Sequence, residues 1–427
     1  MKKFFVLWAG ELIFTIGSGL TAFGLGVYVY QQTRLASATA LVSLLALLPT
    51  VLLGPVAGVL ADRYDRRYMM ILGDSLSALG LFYILFCLIR GNAGLLQICI
   101  GVTISSVFAS LLEPAYRATI TDLVSKEEYS KASGLMQLAG SAKYLISPFL
   151  AGFIMKFSGI QLILWIDVGT FFVTVFATLF VAKSLGRKQV TKQAHFLNEL
   201  REGFGAIVRK RGVFLLVLLS AVVCFFLTFI QTLCTPMILG FSDTATLGIC
   251  ETICAMGMLV SSLVIGMASI KKGYVTILSL SFFLIGLFMM LFGFRENIVL
   301  VTIAGFLFFM ELPFANTCLD ILVRKNIPNA LQGRAWGIIS LISQMGYVLA
   351  NAIIGHLTDY VFEPALRTGG IFYDNIGRVI GTGAGRGAAL LIITGGLCLC
   401  ILAPCIYRSK PIRALEETAN DTGNECM

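Results

Sequence analysis

Twelve apolar stretches, each long enough to cross a bilayer as an α-helix, divide this sequence from end to end. Charged residues make up 13% of the chain, whereas a soluble domain carries about 25%. The mean hydropathy is +0.88. Too little polar surface remains to cover a water-soluble globule, so we predict an all-α membrane protein with twelve transmembrane helices. The predicted spans are residues 5–29, 38–61, 69–89, 95–112, 135–155, 160–182, 213–236, 245–269, 274–293, 298–316, 335–357 and 388–407.

Basic residues are distributed unevenly between the loops on the two sides of the membrane. With both termini placed in the cytoplasm, 24 of the 32 Lys and Arg residues fall in cytoplasmic segments and seven in outer loops. This positive-inside bias predicts that the N-terminus and the C-terminus are both cytoplasmic. It also accounts for the net charge of +9 without a nucleic-acid partner, and we expect none.

The twelve spans fall into two halves that resemble each other. The motif EPAYRATITDLVSKEEYSKASG at residues 113–134 is similar to LPFANTCLDILVRKNIPNALQG at residues 312–333. Parallel repeats of this size occur in transporters, with the substrate site between the halves. We therefore predict two pseudo-symmetric six-helix bundles joined by a basic, amphipathic cytoplasmic linker. The predicted domains are residues 1–182 and 213–407 for the bundles, 183–212 for the linker and 408–427 for a cytoplasmic tail.

A strongly charged loop, GVLADRYDRR at residues 58–67, joins the second and third spans on the predicted cytoplasmic side. It is similar to the signature Gly-x-Leu-Ala-Asp-Arg-x-Gly-Arg-Arg of the major facilitator superfamily, with Asp65 in place of one glycine. In this interpretation Gly58 permits close helix packing and Asp62 caps the N-terminus of a neighbouring helix. Arg66 and Arg67 pair with a carboxylate near the inner end of a helix. The resemblance implies a gate that latches the halves in the outward-facing state; the alternative is that these charges only set topology. The gate residues are Gly58, Asp62, Arg63, Arg66, Arg67 and Glu113.

Further segments resemble the branch of this superfamily that exports macrolides and other drugs. They are EPAYRATITDLVSKEEYSKASGLMQL, LQGRAWGIISLISQMG and the outer-loop sequence GRVIGTGAGRG. The fifth span, GLMQLAGSAKYLISPFLAG, resembles part of an antiporter motif, with Lys143 at one glycine position. The resemblance implies a multi-pass protein of a bacterial cell membrane that exports small amphipathic or apolar compounds in exchange for protons. Transport of a siderophore, a peptide or a lysolipid, and a non-transporting membrane sensor, are the alternatives.

Charged residues inside the predicted spans are candidates for proton coupling or substrate binding. A charge in the middle of the membrane costs about 2.5–3.5 kcal/mol on insertion scales, although a buried structural pair is the alternative explanation. Glu11 and Lys143 fall at similar depth, so we expect them to pair, whereas Asp74 and Glu113 lie near span ends. The candidates within spans are Glu11, Lys143, Asp167, Glu251 and Glu311.

Polar side chains at helical spacing predict the walls of a substrate cavity. Glu11, Thr15 and Ser18 share one face of the first helix, and the fourth span carries a similar stripe. The alternative is that these groups hold helices together or bond to backbone carbonyls. The predicted cavity-lining residues are Thr15, Ser18, Thr103, Ser106, Ser110, Tyr144, Thr228, Gln231, Gln344 and Tyr347.

The expected partners are a small-molecule substrate, protons and the lipid bilayer. The sequence contains no P-loop, so we expect an ion gradient rather than ATP to supply the energy. We expect no enzymatic activity, no cofactor and no metal site, and we expect the chain to act as a monomer.

Overall fold

The fold is entirely helical in the part of the chain that the structure, a computed structural model, describes. Within that part, twelve helices are long and apolar enough to cross a membrane, and each corresponds to one predicted span. The predicted fold class is therefore confirmed. Most of the predicted linker and the end of the predicted tail lie outside the described residues. The described residues are 2–91, 93–124, 128–182, 202, 204–205, 207–267 and 272–416.

The chain packs into two compact units. The first comprises residues 1–192 with residues 242–252, and the second comprises residues 193–241 with residues 253–427. The domain boundaries drawn from the sequence stay a prediction. The helices of the first unit are α1 (Lys2–Thr33), α2 (Ala36–Arg63), α3 (Arg66–Ile89), α4 (Leu95–Ala109), α5 (Leu112–Leu123), α6 (Tyr129–Leu145), α7 (Ser147–Phe157) and α8 (Ile160–Ala182).

The second unit contains the remaining spans. One helix, α10, begins within the first unit and continues into the second. The eleventh span includes one turn of π-helix, residues Thr358–Phe362. The helices are α9 (Arg211–Ile238), α10 (Thr244–Met267), α11 (Tyr274–Gly293), α12 (Ile298–Asn326), α13 (Asn329–Leu357), α14 (Glu363–Leu366), α15 (Ile376–Ile380) and α16 (Arg386–Arg408).

Two spans of the first unit are each broken into two helices. The fourth span divides into α4 and α5, and the fifth into α6 and α7. Pro148 lies in the first turn of α7. Because proline lacks an N–H group and is tolerated at a helix start, it favours a break at this position. The break places Ser147 against α1, where its hydroxyl donates a hydrogen bond of 2.9 Å to the carbonyl of Ile16.

Three glycines spaced seven residues apart, Gly10, Gly17 and Gly24, bring α1 close to α8. A Cβ atom on Gly10 would lie 3.1 Å from the Cβ of Ala177, and one on Gly24 would lie 2.8 Å from the Cδ1 of Ile160. Seven residues are about two helical turns, so the three glycines share one face. Small residues permit this close approach of membrane helices, which fixes how α1 is rotated toward its neighbours.

The first turns of α10 belong to the first unit because they pack closely on α7. A Cβ atom on Gly152 would lie 2.6 Å from the carbonyl oxygen of Thr244. The Lys156 ammonium lies 2.7 Å from Asp243, which also accepts a 2.8 Å hydrogen bond from the N–H of Thr246. The hydrogen bond from Lys156, together with those from Thr246, lowers the pKa of Asp243 below its ordinary value. Asp243 therefore stays ionised at neutral pH.

The last helix of the second unit begins at a buried cation. Arg386 is 1% exposed and donates a hydrogen bond of 2.8 Å to the carbonyl of Gly293. Glu363 accepts a hydrogen bond of 2.9 Å from the N–H of Gly387. A carboxylate at a helix N-terminus is stabilised by the unpaired N–H groups there, so Glu363 fixes the start of α16.

Helices α11 and α16 of the second unit approach each other at a pair of glycines. A Cβ atom on Gly286 would lie 2.5 Å from the carbonyl oxygen of Gly396, and one on Gly396 would lie 2.5 Å from that of Gly286. Neither glycine has room for a side chain unless the helices separate, so the contact depends on both.

We predict that Gly286→Leu lowers the free energy of unfolding by about 1–3 kcal/mol, because the added side chain overpacks this contact. Thermal unfolding of the detergent-solubilised protein, followed by tryptophan fluorescence, measures the effect. Gly337→Leu on α13 is the matched control, since a Cβ there would meet no described atom within 4 Å. Equal melting temperatures for the two variants would contradict the packing argument.

Candidate functional site

A small cavity in the first unit contains two carboxyl groups, those of Glu11 and Asp74. Helices α1, α3, α5 and α8 surround it, and its other polar lining comes from Tyr116, Thr174 and Thr178. Glu11 lies nine residues after α1 begins and Asp74 lies eight residues after α3 begins. At 1.5 Å per residue, both are about 12–14 Å along their helices, at the same level of the unit.

Two polar atoms in this cavity have no hydrogen-bond partner among the described residues. Asp74 is 1% exposed and its Oδ1 atom is unpartnered. The hydroxyl of Tyr116, a residue 5% exposed, is also unpartnered. Buried polar groups in native proteins are nearly always hydrogen-bonded, so two such exceptions in one cavity need an explanation.

Glu11 does not pair with Lys143, and that prediction was wrong. Lys143 lies on α6 beside Gly19, where an added Cβ would be 3.1 Å from the Cγ of Lys143. Gly19 is about two turns beyond Glu11 on α1. The charges that act on Glu11 are those of Asp74, then Glu113 and Arg117. The predicted similar depth was therefore also wrong, and Glu11 lies with Asp74 of α3 rather than with α6.

Asp167 is a buried carboxylate with a hydrogen-bond donor at each oxygen. It is 2% exposed, and its Oδ2 atom accepts a hydrogen bond of 2.5 Å from the hydroxyl of Thr21 on α1. The hydroxyl of Thr170 lies 3.3 Å from Oδ1. A Cβ atom on Gly17 would lie 2.7 Å from the same Oδ1. This carboxylate therefore joins α8 to α1, while its predicted role in coupling stays a prediction.

The other two intramembrane carboxylates lie apart from the cavity. Glu251 is on the part of α10 that packs with the first unit, and it has no ion-pair partner among the described residues. Glu311 is on α12 of the second unit, beside the hydroxyl of Ser281. Their roles in proton or substrate binding stay predictions.

The signature loop is described only in part. The backbone around it forms the end of α2 and the start of α3, but the side chains of Asp62, Arg63, Arg66 and Arg67 lie outside the described part of the structure. The close packing expected at Gly58 is not found, because a Cβ there would meet no described atom within 4 Å.

Glu113, the predicted carboxylate partner of the loop, forms an exposed ion pair with Arg117, one turn further along α5. The Oε1 atom of Glu113 lies 2.8 Å from the guanidinium. Its pairing with Arg66 or Arg67 stays a prediction, and so does the gate itself.

Most hydroxyls of the predicted stripe on α4 bond to backbone carbonyls. Thr103 donates to Cys99 at 2.7 Å, and Ser110 donates to Val107 at 2.6 Å, both within the fourth span. Ser106 donates instead to Ala46 on α2 at 2.6 Å, so it joins two helices. All three bonds fit the alternative that these hydroxyls bond to backbone carbonyls or hold helices together. Thr15 and Ser18 on α1 are partly exposed, and Tyr144 on α6 is exposed. Whether any of them lines a substrate cavity stays a prediction.

The predicted cavity residues of the second unit lie on α9 and α13. Thr228 is buried and donates to the Cys224 carbonyl at 2.8 Å, whereas Gln231 is exposed. Gln344 and Tyr347 are partly exposed on α13. Three phenylalanines on α9 form a cluster beside Thr228, with ring centroids 5.2–5.4 Å apart. These are Phe225, Phe226 and Phe229.

The candidate residue that sequence reasoning undervalued is Asp74. The sequence placed it near a span end, while the structure places it about two turns inside α3, in the cavity that α1 also lines. A usable signal was present, since Glu11 and Asp74 are nearly equidistant from the starts of two helices that begin on the same predicted side. Tyr116 gave no such signal, because an isolated tyrosine in a membrane helix is usually a packing residue.

Comparison with known proteins identifies a family and several relatives. The sequence profile of the Major Facilitator Superfamily matches residues 7–351. Macrolide efflux protein A of Streptococcus pyogenes is 25% identical over 82% of this chain and 88% of its own length. The staphyloferrin A transporter of Staphylococcus aureus is 22% identical over 80% of this chain and 85% of its own. The crystal structure of the nucleoside transporter NupG superposes with a TM-score of 0.74 at 14% identity, covering 96% of this chain and all 100% of that one, which supports the fold alone.

We predict that Thr21→Val lowers the free energy of unfolding by about 1–3 kcal/mol, since Asp167 then loses its shortest hydrogen bond in a buried site. Thr21→Ser retains the hydroxyl and should unfold near the wild-type temperature. Melting temperatures of both variants in detergent test this. A valine variant as stable as wild type would show that the hydrogen bond between α1 and α8 contributes little.

Proposed function

The chain belongs to the major facilitator superfamily, and we propose that it is a secondary active transporter that exports small amphipathic or apolar compounds, macrolides among them, in exchange for protons. The named relatives are transporters of bacterial origin, and the chain is a multi-pass membrane protein. On this proposal it resides in the cell membrane, with both termini in the cytoplasm, as the distribution of basic residues favours.

The observation that carries the proposal is the similarity to macrolide efflux protein A, which extends over most of both chains. The second unit offers a surface of suitable chemistry. Phe225 and Phe226, both partly exposed, form an aromatic cluster with Phe229, and Gln344 and Tyr347 supply polar groups on α13. Sites for drug-sized ligands combine apolar and aromatic walls with a few polar groups.

The energy source proposed is the proton gradient. One proton that moves inward across about 100 mV supplies about 2.3 kcal/mol, enough for about a 50-fold gradient of a neutral substrate. Carboxyl groups within the membrane are suited to bind and release that proton, and the first unit contains Asp74 and Asp167, which are buried, and Glu11, which is partly exposed. Asp167 is engaged by Thr21, so Glu11 and Asp74 are better placed for coupling.

We predict that cells expressing the protein accumulate less radiolabelled macrolide than cells with an empty vector, and that a protonophore abolishes the difference. The reason is that export against a gradient requires proton entry. A panel of unrelated amphipathic drugs tests the breadth of the substrate range. Unchanged accumulation of every compound would contradict export, and protonophore-resistant export would contradict proton coupling. A sensor would move no compound, and a passive channel would show no protonophore effect.

The signature loop acts as a gate in this proposal. We predict that Arg66→Ala and Asp62→Asn each reduce macrolide export at least about tenfold, while the protein still inserts in the membrane, since they remove charges that would latch one state. Export is compared at equal membrane content, measured by immunoblot. The control is Asp374→Asn, an exposed carboxylate paired with Arg378 in the loop between α14 and α15. Full export by the loop variants would leave these charges with a role in topology only.

Siderophore transport is the second candidate, because of the similarity to the staphyloferrin A transporter. An anionic siderophore would need a cation within the membrane, and Lys143 is a basic side chain at such a position. Transport of an iron-loaded siderophore that depends on Lys143, without any effect on macrolides, would favour this candidate over drug export.

A further inference from the structure

Two carboxyl groups from different helices meet in the cavity formed by α1, α3, α5 and α8. Glu11 comes from α1 and Asp74 from α3, at the same level of the unit. The glycines that bring α1 against α8, Gly10 among them, set the rotation that points Glu11 to this cavity rather than to α6. The juxtaposition is therefore a consequence of helix packing and not of a flexible loop.

Two polar groups of the cavity lack a hydrogen-bond partner among the described residues. Asp74 is 1% exposed with Oδ1 unpartnered, and Tyr116 is 5% exposed with its hydroxyl unpartnered. A buried carboxylate that serves only structure is hydrogen-bonded, as Asp167 is by Thr21 in the same unit. Asp74 lacks such donors at Oδ1, and so its role differs from that of Asp167.

The charges around the cavity identify the ligand. Glu113 and Arg117 on α5 form an exposed ion pair. Lys143 on α6 lies beside Gly19, which is about two turns beyond Glu11 on α1. Helix α8 contributes the neutral hydroxyls of Thr174 and Thr178. Asp62 and Arg63 at the end of α2 lie outside the described side chains. Arg117 thus acts on Glu11 from within its pair with Glu113, and no ion pair is found between either carboxyl group and a cation of the described residues.

A proton fits this site better than a metal ion does. The space has room for about one water molecule, and the described residues include no group of three metal-ligating side chains. Two carboxyl groups in one apolar site repel each other when both are charged, and a shared proton removes one of the two charges.

We propose that Glu11 and Asp74 share one proton in this cavity, and that Tyr116 donates a hydrogen bond to the carboxyl group that is ionised. The inference rests on the proposed function, because it assigns the proton that drives export. In the transfer step, the O–H bond of one carboxyl group breaks as the other carboxylate takes the proton, so the net charge of the pair stays constant. A movement of α1 relative to α3 separates the two groups, and the proton is then released to water.

The first test uses the wild-type protein in detergent and N,N′-dicyclohexylcarbodiimide, which reacts with protonated carboxyl groups in apolar surroundings. Mass spectrometry of the digested protein identifies the labelled residue. We expect labelling of Glu11 or Asp74 that falls by up to about tenfold per pH unit above the midpoint. An absence of labelling at both residues, or labelling independent of pH, would overturn the inference whether or not any variant folds.

The second test asks whether the two groups share the proton. Asp74→Asn should reduce labelling of Glu11 at pH 7 at least about tenfold, and Glu11→Gln should reduce labelling of Asp74 similarly, since each removes the neighbouring charge. Tyr116→Phe should shift the midpoint and keep the labelling. Asp374→Asn is the control and should change nothing. Unchanged labelling of the remaining carboxyl group would show two independent sites and refute the sharing.

The outcomes separate this inference from the proposed function. If the pair is labelled as expected and no compound is exported, the proton site stands and the export proposal fails. If macrolide export occurs with a pH dependence that Glu11→Gln and Asp74→Asn leave unchanged, the export proposal stands and the pair is not its coupling site.

Discussion

The absence of water from the membrane interior is the constraint on which the rest of this structure depends. Every polar group placed within a span must find its partner inside the protein, since lipid offers none. Most hydroxyls meet this requirement locally by donating to a backbone carbonyl one turn earlier, as Thr103 and Thr228 do. Others join helices, as Ser106 does from α4 to α2 and Ser147 does from α7 to α1. The polar groups that remain unpartnered are therefore informative.

Close contacts between helices determine which polar groups meet. Gly10, Gly17 and Gly24 hold one face of α1 against α8, and this rotation sends Asp167 to Thr21 and Glu11 to Asp74. Apolar burial drives little association in lipid, so packing of small residues and interhelical hydrogen bonds act in its place. A larger residue at Gly17 would meet Asp167 directly, and the hydrogen bond from Thr21 would be displaced with it.

The sequence was sufficient for the spans and for the candidate charges, because hydropathy over twenty residues reports burial in lipid directly. The sequence did not show which side chains of different helices contact each other. Counting residues from the predicted span ends placed Glu11 and Lys143 at one level, whereas Lys143 lies beside Gly19, about two turns beyond Glu11 on α1. Rotation about the helix axis follows from the glycine contacts and from the break before Ser147, which no hydropathy pattern reveals. That is why Glu11 was assigned to Lys143 and meets Asp74, and why Gly58 was assigned a close contact that the described residues lack.

The contrast between Asp167 and Asp74 bears on why the cavity persists. Both carboxyl groups are nearly inaccessible and both belong to the first unit, yet each oxygen of Asp167 has a donor, whereas the Oδ1 atom of Asp74 has none among the described residues. An unsatisfied buried polar group costs about 1–3 kcal/mol, so the fold would be more stable with an apolar residue at position 74. One proton moving across about 100 mV releases about 2.3 kcal/mol, which is a quantity of the same size. A site destabilised by that amount, and relieved when a proton binds, can therefore shift the balance between two conformations by as much as the gradient supplies. Asp167 has no such unpartnered oxygen, because Thr21 on α1 and Thr170 donate to its two oxygens, so the same argument does not assign it this role.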